Sequence, residues 1–206
     1  MVNNFIKLRG VRRKEIDPKN SLLMSRDNTA LIVMDIQEKL IKAIPNRNEL
    51  TWNTKKLIDG FKILNMGVYI TEQNPDKLGE STEIINNIDA YPKFEKMDFS
   101  CSNCIGLSKE FKRNNIKNIL FCGIETHICI LQSAMDFINK GHKVFIAADC
   151  TGSRNKIDHD TAIKRLEGAG ATISTSEAAI FELCRTALAK EFKDISALIK
   201  RERSNS

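Results

Sequence analysis

Five strand-length apolar runs, each separated from the next by a longer stretch, constrain this chain more than any other feature. The runs are Ala30–Met34, Val68–Ile70, Asn118–Cys122, Lys143–Ala148 and Ala171–Ser174. Between them Leu57, Ile58, Phe61 and Leu64 recur at helical spacing, as do Ile128, Leu131, Met135 and Ile138, and then Ala162, Leu166 and Ala169. Each pattern stops at a glycine just ahead of the next run (Gly67, Gly141, Gly170), where a helix stop belongs. Continuous apolar runs are buried on both faces. Their alternation with helices calls for right-handed crossovers. The expected fold class is therefore α/β, a doubly wound, mostly parallel sheet flanked by helices on both faces. Such sheets bind ligands beyond the carboxyl ends of their strands. That rule selects Asp35, Glu72, Gln73, Glu125, Thr126, Asp149, Thr151 and Ser153 as functional candidates.

The last section begins with the capping chemistry of Ser174–Glu177. Ile180, Phe181, Cys184 and Leu188, then Phe192, Ile195, Leu198 and Ile199, read as the buried stripes of two C-terminal helices. Residues 1–26 carry seven basic and two acidic side chains, so most of the net charge of +6 sits in an N-terminal extension. The expected organisation is a basic extension over 1–26, one domain over 27–200 and a short tail over 201–206. A basic arm can touch nucleic acid, but nucleic-acid modules interleave basic and aromatic residues. Aromatics are only 6% of this chain, so the arm reads as a solvated leader. No apolar run approaches the roughly 20 residues of a membrane helix, and the charged N-terminus has no apolar core of a secretory signal. The expected setting is soluble and cytoplasmic.

Six cysteines in such a chain are expected as free thiols. Cys101 and Cys104 form a CxxC pair with no second pair and no histidines at zinc spacing. A thioredoxin-type pair opens a helix just after a strand near the chain start. This one follows Lys96–Ser100, well into the chain, and reads as a bystander.

Cys129 is different, because it follows a buried strand and lies at the opening of an amphipathic helix. A helix N-terminus presents unpaired N–H groups and a positive dipole end. Both favour thiolate, and the same N–H groups can hold an oxyanion. A lowered thiol pKa is the expectation. His127 lies two residues away, and residues so spaced on a helix do not face each other, so it is given a structural or rim role. His142 and His159 carry no signal. Asp35 closes the first run, placed either to face the cleft or to cap the next helix. The loop over Tyr91–Ser100 adds Lys93 and Lys96, and spacing alone selects neither.

Taken in order, Ala30–Gln37 (ALIVMDIQ), Thr71–Pro75 (TEQNP) with Leu78-Gly79, Lys96–Ser100 (KMDFS), Gly123–Cys129 (GIETHIC), and Asp149 with Ser153 resemble the isochorismatase-like cysteine hydrolases. The Thr71–Pro75 and Thr175–Leu183 segments are most similar to the isochorismatase-domain-containing subgroup. The resemblance implies a three-layer sandwich and a catalytic triad of Asp35, Lys96 and Cys129. It selects Lys96 because Phe99-Ser100-Cys101 follows it at the family's spacing. It implies a cis peptide near Ile124–Glu125, an oxyanion hole from the N–H groups of Glu125 and Cys129, and a substrate pocket with Glu72, Gln73, Phe99 and Thr126. Nicotinamidases of this superfamily carry a histidine-containing metal set near the second strand. Here that region, Ile70–Asp76, has no histidine, so no metal and no cofactor are expected. The resulting expectation is a homo-oligomeric, metal-independent hydrolase of a small amide, carbamoyl or related acyl substrate. Two alternatives stand beside it: a catalytically idle relative acting through assembly, and a receiver-like module phosphorylated on Asp35. The second lacks the acid cluster that holds magnesium in receivers.

Overall fold

The computed structural model describes residues 22–83 and 90–202. Most of the basic extension and the end of the C-terminal tail fall outside them. Six strands form one sheet, in spatial order β3-β2-β1-β4-β5-β6, with every neighbouring pair parallel. They are β1 (Thr29–Met34), β2 (Val68–Gln73), β3 (Lys93–Lys96), β4 (Asn118–Ile124), β5 (Lys143–Gly152) and β6 (Thr172–Ser174). The helices are α1 (Glu38–Ile41), α2 (Arg47–Ile63), α3 (Pro75–Leu78), α4 (Ile105–Arg113), α5 (Leu131–Asn139), α6 (Lys156–Gly168), α7 (Ser176–Cys184) and α8 (Phe192–Ile199). Strand order reverses between β1 and β4, which makes this the topological switch point where such sheets bind ligands.

Strand alternation divides the core into two clusters, one on each face of the sheet. Leu31, Val33, Ile70, Leu120 and Phe145 pack with Leu57 and Phe61 of α2, Ile180 and Leu183 of α7, and Ile195 and Leu198 of α8. Ala30, Ile32, Met34, Phe121 and Ile146 pack on the other face with Leu107 and Phe111 of α4, Phe137 of α5 and Leu166 of α6. The three layers follow directly. The body of the domain also takes in residues that sequence assigned to the extension: Met24 is fully buried, and the Arg26 guanidinium donates to the Leu183 carbonyl at 2.8 Å.

Three elements correct the sequence reading. Lys93–Lys96 is the edge strand β3, not part of a loop. Three of its four residues are charged and only Lys96 is buried, so they carry no apolar-run signal. The helix before β2 stops at Asn65, which takes the left-handed conformation (φ 55°), while Gly67 does not. Asparagine tolerates that region through its short polar side chain. α7 ends at Cys184, and Leu188, read as buried, is exposed. The CxxC pair lies at the start of α4, with Cys104 as its N-cap.

Candidate active site

β1 ends at Met34, and the next residue, Asp35, turns into the left-handed region (φ 48°) with its side chain fully buried. Aspartate is among the few non-glycine types that enter this region readily. Its carboxylate is held at both oxygens. Thr71 Oγ1 of β2 donates to Oδ1 at 2.7 Å, and Lys96 Nζ from the end of β3 donates to Oδ2 at 2.7 Å. Lys96 Nζ also donates to Gln73 Oε1 at 2.7 Å and lies 3.5 Å from Cys129 Sγ. Cys129 comes from the far side of the switch point, on a π-helical turn (Thr126–Ile130) between β4 and α5. Three strand ends and one wide helical turn thus bring a carboxylate, an ammonium and a thiol into contact.

Gly123 makes the approach of β4 to β1 possible. A Cβ there would run into the Met34 carbonyl, and its φ of 111° suits only glycine. The next peptide, Ile124–Glu125, is cis. It leads into the turn carrying Cys129, which places the backbone of Glu125 and Cys129 on one short segment.

The electrostatics differ from the sequence expectation. Burial, then the negative charge of Asp35, pushes the Cys129 thiol above its ordinary pKa, and Lys96 pulls it back without reversing the shift. Burial of the residue and the nearby carboxylate thus favour the protonated thiol, the opposite of the lowered pKa expected from its place at a helix opening. For Lys96, burial alone would lower the pKa. The negative charge of Asp35 and its hydrogen bond to the ammonium work against that, and Lys96 is held above the usual lysine value.

Other named residues are placed as follows. Gln73 is buried between Lys96 and the Met97 carbonyl, to which its amide donates at 2.7 Å. Glu72 is also buried, and its carboxylate accepts the Ser81 N–H at 2.7 Å, so it pins the segment after α3. Phe99 is exposed on the β3–α4 connection. Thr126 is buried, with its hydroxyl 2.9 Å from His159 Nδ1 of α6, and His127 Nδ1 lies 2.9 Å from Ser153 Oγ. Ser153, Thr151 and His159 line a groove of about 390 Å³ beside this turn. A cavity of about 200 Å³ on the other side is lined by Lys96, Ser100 and Cys104. Asp149 is placed away from both. It accepts the Ser176 N–H at 2.7 Å at the start of α7. Among the described residues no group of three or more His, Cys, Asp or Glu side chains could hold a metal ion.

Sequence reasoning missed Thr71, Gln37 and His159. Gln37 ties β1 to β2 by accepting the Gln73 N–H at 2.8 Å and donating to the Gln73 carbonyl at 3.0 Å. A polar residue two positions after Asp35 was the available signal for it. Nothing in the sequence pairs His159 with Thr126.

The isochorismatase domain family model matches residues 29–178. The chain belongs to the isochorismatase family. It is 34% identical over 184 residues to isochorismatase family protein 1B of Dictyostelium discoideum, covering 87% of this chain and 89% of that protein. It is 32% identical to isochorismatase domain-containing protein 2 of Xenopus laevis, covering 84% and 83%. The solved structure of the MAR1 ribonuclease from Caenorhabditis elegans superposes with a TM-score of 0.80 at 32% identity, covering 87% of this chain and 93% of that one. This family membership makes the protein an isochorismatase-like hydrolase, and its doubly wound sheet carries the Asp35–Lys96–Cys129 cluster at the switch point.

Proposed function

We propose that this isochorismatase-family protein is a metal-independent cysteine hydrolase of a small amide, carbamoyl or related acyl compound, with Asp35, Lys96 and Cys129 as its catalytic triad. The observation that carries the reading is the contact chain itself: Lys96 Nζ is 2.7 Å from Asp35 Oδ2 and 3.5 Å from Cys129 Sγ, with all three side chains buried.

The chemistry follows from a resting thiol whose pKa is raised. Such a sulfur needs a base at the moment of attack. Asp35 accepts the Cys129 proton as the sulfur attacks the substrate's carbonyl carbon. The Glu125 and Cys129 N–H groups hold the oxyanion. Asp35 then returns the proton to the leaving nitrogen, the C–N bond breaks, and an acyl-thioenzyme remains. Water, deprotonated by Asp35, attacks that acyl group and regenerates the thiol. Lys96 holds the carboxyl group in place through its ion pair, and Gln73 and Thr71 fix the two in register. Thr126, Phe99 and the groove beside the π-helical turn supply the walls of the substrate site. Glu72 acts on it through Ser81. Exposed Met97, Phe99 and Ile105 beside the site form the surface covered by a second copy in a homo-oligomer, which light scattering at micromolar protein tests.

The test of the catalytic reading is Cys129→Ala against a panel of small amides, carbamoyl compounds and esters. Turnover present in the native chain and absent in the variant supports it, as does intact-mass detection of an acyl adduct on Cys129. Undiminished hydrolysis by the variant rejects it.

A further inference from the structure

The connection from β3 to α4 carries two thiols that the hydrolase chemistry does not use, Cys101 and Cys104, close to Lys96. We propose that they form a redox-modification site, oxidised by hydrogen peroxide to an intramolecular disulfide. Cys104 is the sulfur that meets the oxidant, and Cys101 is the one that closes the bond. This goes beyond the hydrolase reading and does not depend on it.

Backbone geometry brings the two residues within disulfide range. Cys104 N–H donates to the Cys101 carbonyl at 3.1 Å, which closes a four-residue turn. A turn so closed keeps its end Cα atoms within about 7 Å, and a disulfide spans about 4.4–6.8 Å between Cα atoms. Both side chains serve the same face of the sheet: Cys101 belongs to the core cluster with Leu107 and Phe137, and Cys104 packs against that cluster. The turn is also tied down. Ser100 and Ser102 hydroxyls donate to Asp136 Oδ2 of α5 at 2.6 and 3.1 Å, and Cys101 N–H donates to Ser133 Oγ at 2.9 Å. Lys140 Nζ adds a bond to the Ser102 carbonyl at 2.6 Å. The disulfide can form inside this turn while the connection stays bound to α5.

Exposure divides the roles. Cys101 is fully buried, whereas Cys104 is half-buried and lines the cavity of about 200 Å³ together with Lys96, Met97 and Asn103. Among the described residues the Cys104 sulfur has one weak contact, to the Glu95 carbonyl at 3.9 Å. Sites for drug-sized ligands begin at about 300 Å³, so this cavity suits peroxide, a molecule little larger than water, better than a bulky disulfide oxidant. The Lys96 charge favours the Cys104 thiolate, against the burial that raises this thiol's pKa. An accessible thiol beside a cation, with a second thiol behind it to resolve the first oxidation product, is the arrangement of thiol redox sensors.

The chemistry balances with peroxide alone. The Cys104 thiolate attacks one peroxide oxygen and the O–O bond breaks. Hydroxide leaves, takes up the proton that the thiol gave up and becomes water, and Cys104 is left as a sulfenic acid. The Cys101 sulfur then attacks the Cys104 sulfur. The S–O bond breaks, the S–S bond forms, and the Cys101 proton departs with the hydroxyl as a second water. Two thiols and one peroxide become one disulfide and two waters, with the thiols oxidised by two electrons and the peroxide reduced.

The experiment is treatment of the folded full-length chain with hydrogen peroxide, followed by tryptic mapping without reduction. Cleavage after Lys96 and Lys109 releases both thiols on one peptide, Met97–Lys109. That peptide is expected to become lighter by two hydrogens and to recover its mass on treatment with dithiothreitol. In Cys104→Ser the loss should vanish and Cys101 should stay a thiol, shielded by its burial. In Cys101→Ser the reaction should stop at a Cys104 sulfenic acid that dimedone traps. Cys129→Ala should form the disulfide as the native chain does, so failure of the hydrolase reading and failure of this one are separable. A peptide that keeps its hydrogens at millimolar peroxide overturns the proposal. So does a bridge from Cys104 to Cys129 or to a second copy, or oxidation of Cys101 in the Cys104→Ser variant.

Discussion

Lys96 and Asp35 form an ion pair at 2.7 Å with side-chain exposures of 2% and 0%. A pair this dry stabilises little on balance, yet removing one partner strands the other charge out of water. Lys96→Met and Asp35→Asn should each destabilise the fold, Lys96→Met by about 3–5 kcal/mol. The double variant should cost clearly less than the sum. A urea double-mutant cycle measures this. Additive losses would mean that the two charges are independently solvated.

The same pair makes opposite predictions for reactivity and turnover at Cys129. Asp35 raises the thiol's pKa and Lys96 lowers it. Asp35→Asn should therefore alkylate faster with iodoacetamide at pH 8 than the native chain, while hydrolysis falls by orders of magnitude for want of a base. Lys96→Met should alkylate more slowly. In the native chain, labelling of Cys129 should climb through pH 7–9 without levelling, since the raised pKa lies above that window. Slower labelling of Asp35→Asn would show that the carboxylate generates thiolate in the free enzyme, against the resting-thiol mechanism.

Buried thiols also set the alkaline limit of stability. Burial pushes Cys101 up to about 12, and raises Cys122 and Cys150 as well. In the unfolded chain a thiol titrates near pH 8.5, so above that pH the unfolded state sheds protons that the folded state keeps. Stability then falls with rising pH, by about 1.4 kcal/mol per unit per thiol, and is flat in this respect below about pH 8. Lys96 acts in the same direction. Its raised pKa gives stability that is complete below the ordinary lysine value and lost as pH climbs through the folded one. Urea unfolding at pH 8 and pH 10 reads the slope. Cys101→Ala should shrink it by one thiol's share, and an unchanged slope would remove Cys101 from the account.

What the sequence made legible follows burial. β1, β2, β4 and β5 announce themselves through the apolar runs Ala30–Met34, Val68–Ile70, 119–122 and 144–148, which neighbours cover on both faces. β3 lies at the sheet edge with three charged residues of four, so Lys93–Lys96 shows no such run although it delivers Lys96 to the site. Asp35 and Cys129 were visible by position, one at a strand end and one at a helix opening. The sign of the Cys129 shift was not, because it depends on desolvation and on the distance to Asp35, which only the packed structure sets. Gln73 illustrates the same limit. Its place at a strand end was readable, but its bond to Lys96 needs the β2–β3 register, which sets Gln73 beside Lys96.

Asp149 tests whether a polar residue near a strand end belongs to the catalytic machinery at all. Sequence position made it a candidate, yet its carboxylate accepts both the N–H and the hydroxyl of Ser176, the first residue of α7. It thereby satisfies a backbone donor at a helix start and places negative charge at the positive dipole end. α7 packs with α2 and α8 in the cluster on the face opposite Cys129. Asp149→Ala should thus lower stability by about 1–3 kcal/mol, the cost of a lost cap plus an unsatisfied N–H. It should leave the iodoacetamide rate at Cys129 and the rate constant for hydrolysis unchanged once the folded fraction is allowed for. Hydrogen exchange at the first turn of α7 should accelerate in the variant. A turnover loss exceeding the loss of folded protein would instead make Asp149 part of the site.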